Sequence, residues 1–251
     1  YYARVEDGSL YGRLFRLFFR PLVRALADAV PAREPDVLSY LGAFRYALAG
    51  EFAATSDLVS RLRVQRGWGL EIGTLGEAFA HAGFDGSAQV DLGRYEHDHR
   101  SVEGPTGLAD MSRAVGAATL RAVEDAGVDV DYDGLVERYR EAAATLVDGY
   151  ATDAAFNGLE YDRGDEREQV ATYADAVAEP APDTRLPAWT DTPPSPDDVA
   201  EAARADPAAA RGLAARPGPV GPARDGGPLR GRPPGATAPL AHTHAATSRG
   251  S

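Results

Sequence analysis

Cysteine is absent from the 251 residues, which removes disulfides, thiolate metal sites and a Cys nucleophile together. A reducing, cytoplasmic setting fits that absence. Lysine is absent too. The 26 basic residues are all arginine, set against 38 acids, for a formal net charge of -12. So acidic a chain lacks the basic stripe of a general nucleic-acid binder, and no nucleic-acid partner is expected. There is one methionine, Met111, and none at the start, where the chain opens Tyr1-Tyr2-Ala3-Arg4-Val5. That opening is neither a signal peptide nor an ordinary start, and the chain reads as a fragment. A Lys-free, Ala/Arg/Asp-rich composition fits a high-GC genome, or a halophilic source. An uncharged apolar run is also missing. The most hydrophobic stretch, 10–30, carries Arg13, Arg16, Arg20 and Arg24, so a membrane span is not expected.

In that stretch Leu10, Leu14, Leu17, Phe18, Leu22 and Leu26 recur at helical spacing, and the four arginines share one face. Pro21 should kink the helix or restart it. The arginine face reads as solvated, or as a surface for a membrane or an anion. Residues 44–52 read as a strand entering a tight turn at Gly50. Thr55 or Ser56 should cap a helix reaching Val64, and 65–69 is a turn. A helix over 71–81 should stop at Gly83. Residues 87–92 read as a strand closed by Gly93. Helices are expected over 108–125 and 134–154, the second capped by Asp133, with a last turn or two over 170–177. From Glu179 the chain turns rich in Pro, Ala and Gly, so 179–251 is expected to be disordered. Past Asp206 six arginines meet one acid, Asp225, as though the reading frame had shifted. Residues 1–178 form the domain to interpret.

Three segments carry candidate chemistry. Gly50-Glu51-Phe52-Ala53 is a tight turn. Gly67-Trp68-Gly69-Leu70-Glu71-Ile72-Gly73 sets an aromatic between glycines, then an acid at a helix start. An aromatic can stack on a sugar and a carboxylate can hold two hydroxyls. The same residues also suit a turn anchored in the core by Trp68, with Glu71 favoured by the helix dipole. Gln89-Val90-Asp91-Leu92-Gly93 leads to the pair His97 and His99, which could ligate a divalent cation or stand exposed in a loop.

In this order the segments resemble the glucosyl-3-phosphoglycerate synthase family over roughly residues 1–125. That family's pattern is G-E-[YF]-A, then G-[YW]-G-x-E-I-G, then Q-V-[DN]-L-G with a His four residues on. Ala3-Arg4-Val5 is similar to the family's acceptor loop, and Arg20-Pro21-Leu22 to the R-P-L after it. The resemblance implies an α/β fold: the helix-rich C-terminal half of a GT-A-type nucleotide-diphospho-sugar transferase, with a disordered tail. It implies a retaining hexosyltransferase that uses a nucleotide-sugar donor, a small phosphorylated acceptor such as 3-phosphoglycerate, and Mg²⁺ or Mn²⁺, and that works as a homodimer. By resemblance Leu48, Gly50, Trp68, Gly69 and Glu71 serve the donor sugar, Arg4 and His99 the acceptor, and His97 the metal. No catalytic residue is assigned.

The chain departs from the pattern at Glu6 (Thr in the family), Tyr95 (Arg) and His99 (Asn), all on the acceptor or phosphate side. The family's D-x-D metal motif belongs to a nucleotide-binding half that is not in these residues. Asp129-Val130-Asp131 and Asp131-Tyr132-Asp133 read as loop and cap acids instead. The isolated chain is therefore expected to be inactive. A polyprenyl-phosphate glycosyltransferase at a membrane surface and a non-catalytic dimerising fragment are the alternatives.

Overall fold

The computed structural model describes residues 5–6, 8–30, 36–92, 105–208 and 211. The chain divides into two units, Tyr1–Ala200 and Glu201–Ser251. Of the second, the described residues are the end of one helix and a short stretch after it. The first is built from helices: α1 (Arg20–Ala29), α2 (Asp36–Ala43), α3 (Ser56–Arg61), α4 (Leu70–Ala82), α5 (Pro105–Asp125), α6 (Leu135–Phe156) and α7 (Arg163–Ala174), with α8 (Pro196–Ala205) running into the second unit. Among the described residues the strands are two short ones, β1 (Val5–Glu6) and β2 (Ser9–Leu10), paired antiparallel.

The expected α/β character is thus not seen in the described part, which is helix-rich. That helical content is compatible with a GT-A-like transferase. Residues 44–52 and 87–92, expected as strands, are irregular. Phe44, Tyr46 and Leu48 are drawn onto the core as half-buried anchors while Gly50 stands in open space, so the alternation never meets a partner strand.

The arginine-rich stretch begins as a buried π-helix, Leu14–Phe19, which runs into α1. Pro21 explains the transition. It has no N–H to donate to the carbonyl of Leu17 and its ring crowds that turn. The turn widens, with Arg20 N–H reaching back to Phe15 O, and the Tyr139 hydroxyl donates to Leu17 O at 2.8 Å. Phe18 lies between Tyr139 and Tyr173, with ring centroids 5.8 and 5.6 Å away. Around this point α1 packs on α6, and α6 on α7.

The expected solvated arginine face is broken by Arg16, which is only 6% exposed. Its guanidinium forks onto Glu166 of α7 at 2.7 and 3.1 Å and also donates to Leu10 O and Tyr11 O. Arg13, at the surface, adds a bond to the same carboxylate. A charge can be buried here because nearly every donor and acceptor is used.

Other sequence expectations fare unevenly. Thr55 Oγ1 accepts from Leu58 N and caps α3, which ends at Arg61 rather than Val64. Gly83, at φ 69°, stops α4. The N-cap of α6 is Gly134, not Asp133. Asp131 accepts from Asp133 N and pairs with Arg138, which agrees with a loop role for those acids.

The change of composition at Glu179 does not end the ordered chain, for 180–208 are described. Leu186 pairs with Val64 through two backbone hydrogen bonds, and Arg121 donates to Ala181 O. Polar contacts hold this strap, which an apolar-periodicity reading cannot register. Residues 212–251 lie outside the described part.

Removing Glu166 strands the buried Arg16 charge, so Glu166→Ala should cost about 3–5 kcal/mol and lower Tm by on the order of 10 °C. Arg13→Ala, at the rim of the same pair, should cost under ~1 kcal/mol. Thermal unfolding of the two variants checks the contrast; equal losses would contradict it.

Candidate functional site

The second motif is built around α4. Gly67 has φ +70°, a left-handed turn conformation that a side chain would strain. The chain then makes one 3₁₀ turn, Gly67–Gly69, and enters α4 at Leu70. A Cβ on Gly69 would lie 2.7 Å from Ala114 O and 2.9 Å from Ala118 Cβ, both on α5. A Cβ on Gly76 would lie 2.6 Å from Ala122 Cβ, and one on Gly73 would lie 2.5 Å from Gln65 Cβ. Ala114, Ala118 and Ala122 fall at i, i+4 and i+8, on one stripe. Gly69, with Gly76 beyond the motif, therefore lets α4 lie hard against α5, while Gly73 leaves room for Gln65.

The same approach fixes what faces outward. Trp68 is 50% exposed, so it is no core anchor. Glu71 is half-buried in the first turn of α4. Burial pushes the Glu71 carboxyl above its usual range. A hydrogen bond from its own backbone N–H opposes that shift, and the charge of Glu51 adds to it. Gly50 beside Glu51 is exposed, and the Leu48 side chain packs on the core.

The third motif joins through Gln89. Its Oε1 accepts from Arg45 N at 2.7 Å and its Nε2 donates to Ala43 O at 2.9 Å. Two residues earlier, Ser87 Oγ hydrogen-bonds the Tyr40 hydroxyl at 2.8 Å. The Tyr40 ring packs on Phe44, Phe79 and Phe84, tying the end of α2 to α4. Phe52, Trp68, Leu70, Val90 and Leu92, all from the three motif segments, stand exposed. Arg4, His97 and His99 lie outside the described residues. Among the described residues no group of three His, Asp or Glu side chains is placed to hold a metal ion, and no helix is long and apolar enough to cross a membrane.

Sequence reasoning missed the support beneath the site. Glu77, only 2% exposed on α4, accepts from Arg63 N and Nε at 2.9 Å each and from Arg185 Nη1 at 3.0 Å. Arg185 also reaches Asp125 at 2.8 Å and Asp183 at 2.6 Å. Hydrogen bonds from Arg185 hold the Asp183 carboxyl down at about 2. A charged residue in the middle of an amphipathic helix was the only signal available.

A cavity of ≈ 330 Å³ is lined in part by Ser9 and Leu10 of β2. Arg13, Glu160, Asp162 and Glu166 supply its charged lining. The structure does not bring it together with the Glu71 region.

Comparison with known proteins follows the motifs. A glucosyl-3-phosphoglycerate synthase of Methanococcoides burtonii is 37% identical over 205 residues, covering 76% of this chain and 50% of that protein. One from Persephonella marina is 34% identical over 183 residues, covering 70% of this chain and 45% of that protein. One from Mycolicibacterium smegmatis is 37% identical over 125 residues, covering 49% and 37%. No family model matches, and no solved structure matches.

Two predictions follow from the seam and the acid. Gly69→Ala places a methyl against the backbone of α5 and should cost about 1–3 kcal/mol; unchanged denaturant unfolding would contradict it. Glu71 binds its proton more tightly folded than unfolded. Its ionisation therefore removes stability as pH rises from the ordinary carboxylate range through its raised value. Glu71→Gln should be more stable than the parent above that window and equal to it below, by urea unfolding across pH. A variant less stable at neutral pH would contradict the assignment.

The chain spans about half the length of the curated relatives it matches, and on that similarity it belongs to the glucosyl-3-phosphoglycerate synthase family.

Proposed function

We propose that this chain forms the sugar and acceptor side of a retaining hexosyltransferase. The enzyme would move a hexose from a nucleotide-sugar to 3-phosphoglycerate or a similar small anionic acceptor. One observation carries the reading: a half-buried carboxylate, Glu71, stands in the first turn of α4, three residues after an exposed Trp68. The names of the relatives support the donor and acceptor classes.

In this reading Trp68 lies against the apolar face of the hexose. Glu71 accepts from its hydroxyls and orients the anomeric carbon so that the acceptor attacks from the face the diphosphate leaves, as retention requires. Leu48 and Gly50 border the donor, and Gly69 shapes the pocket by bringing α4 onto α5. Arg4 would fork onto the phosphate or carboxylate of the acceptor, with His99 on the same side. His97 would ligate Mg²⁺ or Mn²⁺, which when bound neutralises the departing diphosphate. The GT-A fold itself is part of the proposal, supported by the helix-rich described region.

A chimera tests this reading. This chain would replace the segment it matches in the Methanococcoides burtonii protein, with transfer from nucleotide-glucose to 3-phosphoglycerate followed by product analysis. The chimera should transfer glucose. Glu71→Gln in it should lower kcat/KM by about 10–100-fold, the loss of a charge-assisted hydrogen bond worth roughly 1.5–3 kcal/mol. A chimera without transfer, beside an active parent, would overturn the proposal.

A further inference from the structure

Strands β1 and β2 pair over two residues each, Val5 with Leu10 and Glu6 with Ser9. So short a two-stranded hairpin does not hold itself in water. Apolar burial does not hold it at Val5 either, which is 51% exposed. Polar ties to α6 and α7 set its place. Arg16 donates to Leu10 O through Nη2 at 3.2 Å and to Tyr11 O through Nε at 3.0 Å. The same guanidinium is fixed by Glu166 of α7, through Nη1 at 2.7 Å and Nη2 at 3.1 Å. Its carbon lies 5.0 Å from the ring centre of Tyr150 on α6. A second tie joins the hairpin turn to the α6–α7 connection. Glu160 N donates to Gly8 O at 2.9 Å, and Ser9 bridges to Glu160 in parallel.

Every link from Glu166 to β1 is thus a contact: carboxylate to guanidinium, guanidinium to a β2 carbonyl, β2 to β1. The first residue of β1, Val5, follows Arg4 in the chain. We propose that Arg16 is a positioning residue for the acceptor. Held by Glu166 and Tyr150, and joined by the Glu160 N–H, it fixes the β1–β2 hairpin and with it the backbone that leads into Arg4. The acceptor role rests on the proposed function. The anchoring of the hairpin does not.

Arg16→Lys separates positioning from stability. Lysine keeps a positive charge opposite Glu166, but one ammonium cannot span the carboxylate and both carbonyls. On the full 251-residue chain, amide exchange over 5–11 should quicken about tenfold, the loss of an ordinary hydrogen bond, while 163–174 stays protected. Unchanged exchange over 5–11, or equal loosening of 163–174, would overturn the inference. In the chimera, calorimetric binding of 3-phosphoglycerate should weaken about tenfold and that of nucleotide-glucose should not. Equal weakening of both, or of neither, would overturn the acceptor role.

Glu160→Pro serves if Arg16→Lys folds poorly. It stands at an exposed residue and removes the N–H that Gly8 O accepts. The same loosening of 5–11 and the same selective loss of 3-phosphoglycerate binding are expected, and a loosened hairpin with unaltered binding would overturn the acceptor role. A chimera that binds both compounds but transfers no sugar counts against the proposed function alone, so the two proposals fail separately.

Discussion

The approach of α4 to α5 governs everything else at the candidate site. Gly69 and Gly76 meet the alanine stripe of α5 at distances that admit no further carbon. Small residues on both helices bring the backbones close, and tight packing then fixes the rotation of α4 about its axis. Once that rotation is set, Ile72 points into the core and Glu71 takes the half-buried rim. Trp68, one residue before Gly69, is left outside. The orientation of the acid and the aromatic follows from helix packing.

Charge does the corresponding work farther along α4. Glu77 is buried, yet it accepts from Arg63 and from Arg185, and Asp125 shares both arginines. A buried carboxylate is tolerable only with its acceptor sites filled. The strap around 183–186 fills them, and the Val64–Leu186 pairing aligns it. On the opposite side Arg16 and Glu166 join the start of the helical region to α7 in the same way. Apolar packing holds α1, α6 and α7 together, while paired charges set where the connecting segments lie.

Much of this was legible in the sequence. Periodicity located α4, α5 and α6, and Gly83 and Thr55 marked helix ends through their conformational and capping chemistry. The three motifs are visible as sequence patterns. The misses share a cause. Residues 44–52 and 87–92 alternate like strands, but alternation cannot say whether a partner strand exists, and Gln89 supplies the partner from its side chain. Arg16 looked solvated because its three companions share its face; only Glu166, 150 residues on, makes it a core residue. The strap past Glu179 lacks apolar periodicity because ion pairs and backbone pairing fix it. The packing role of Gly69 and Gly76 depends on the position of α5, which their spacing does not reveal.

The central claim is that Trp68 and Glu71, presented by the α4–α5 seam, form a hexose site. A crystal structure of the protein bound to a nucleotide-hexose tests it most directly. The account predicts hexose hydroxyls within about 2.6–3.2 Å of the Glu71 carboxylate, with the ring lying against Trp68. A sugar bound away from α4, with Glu71 touching only protein and water, would contradict it.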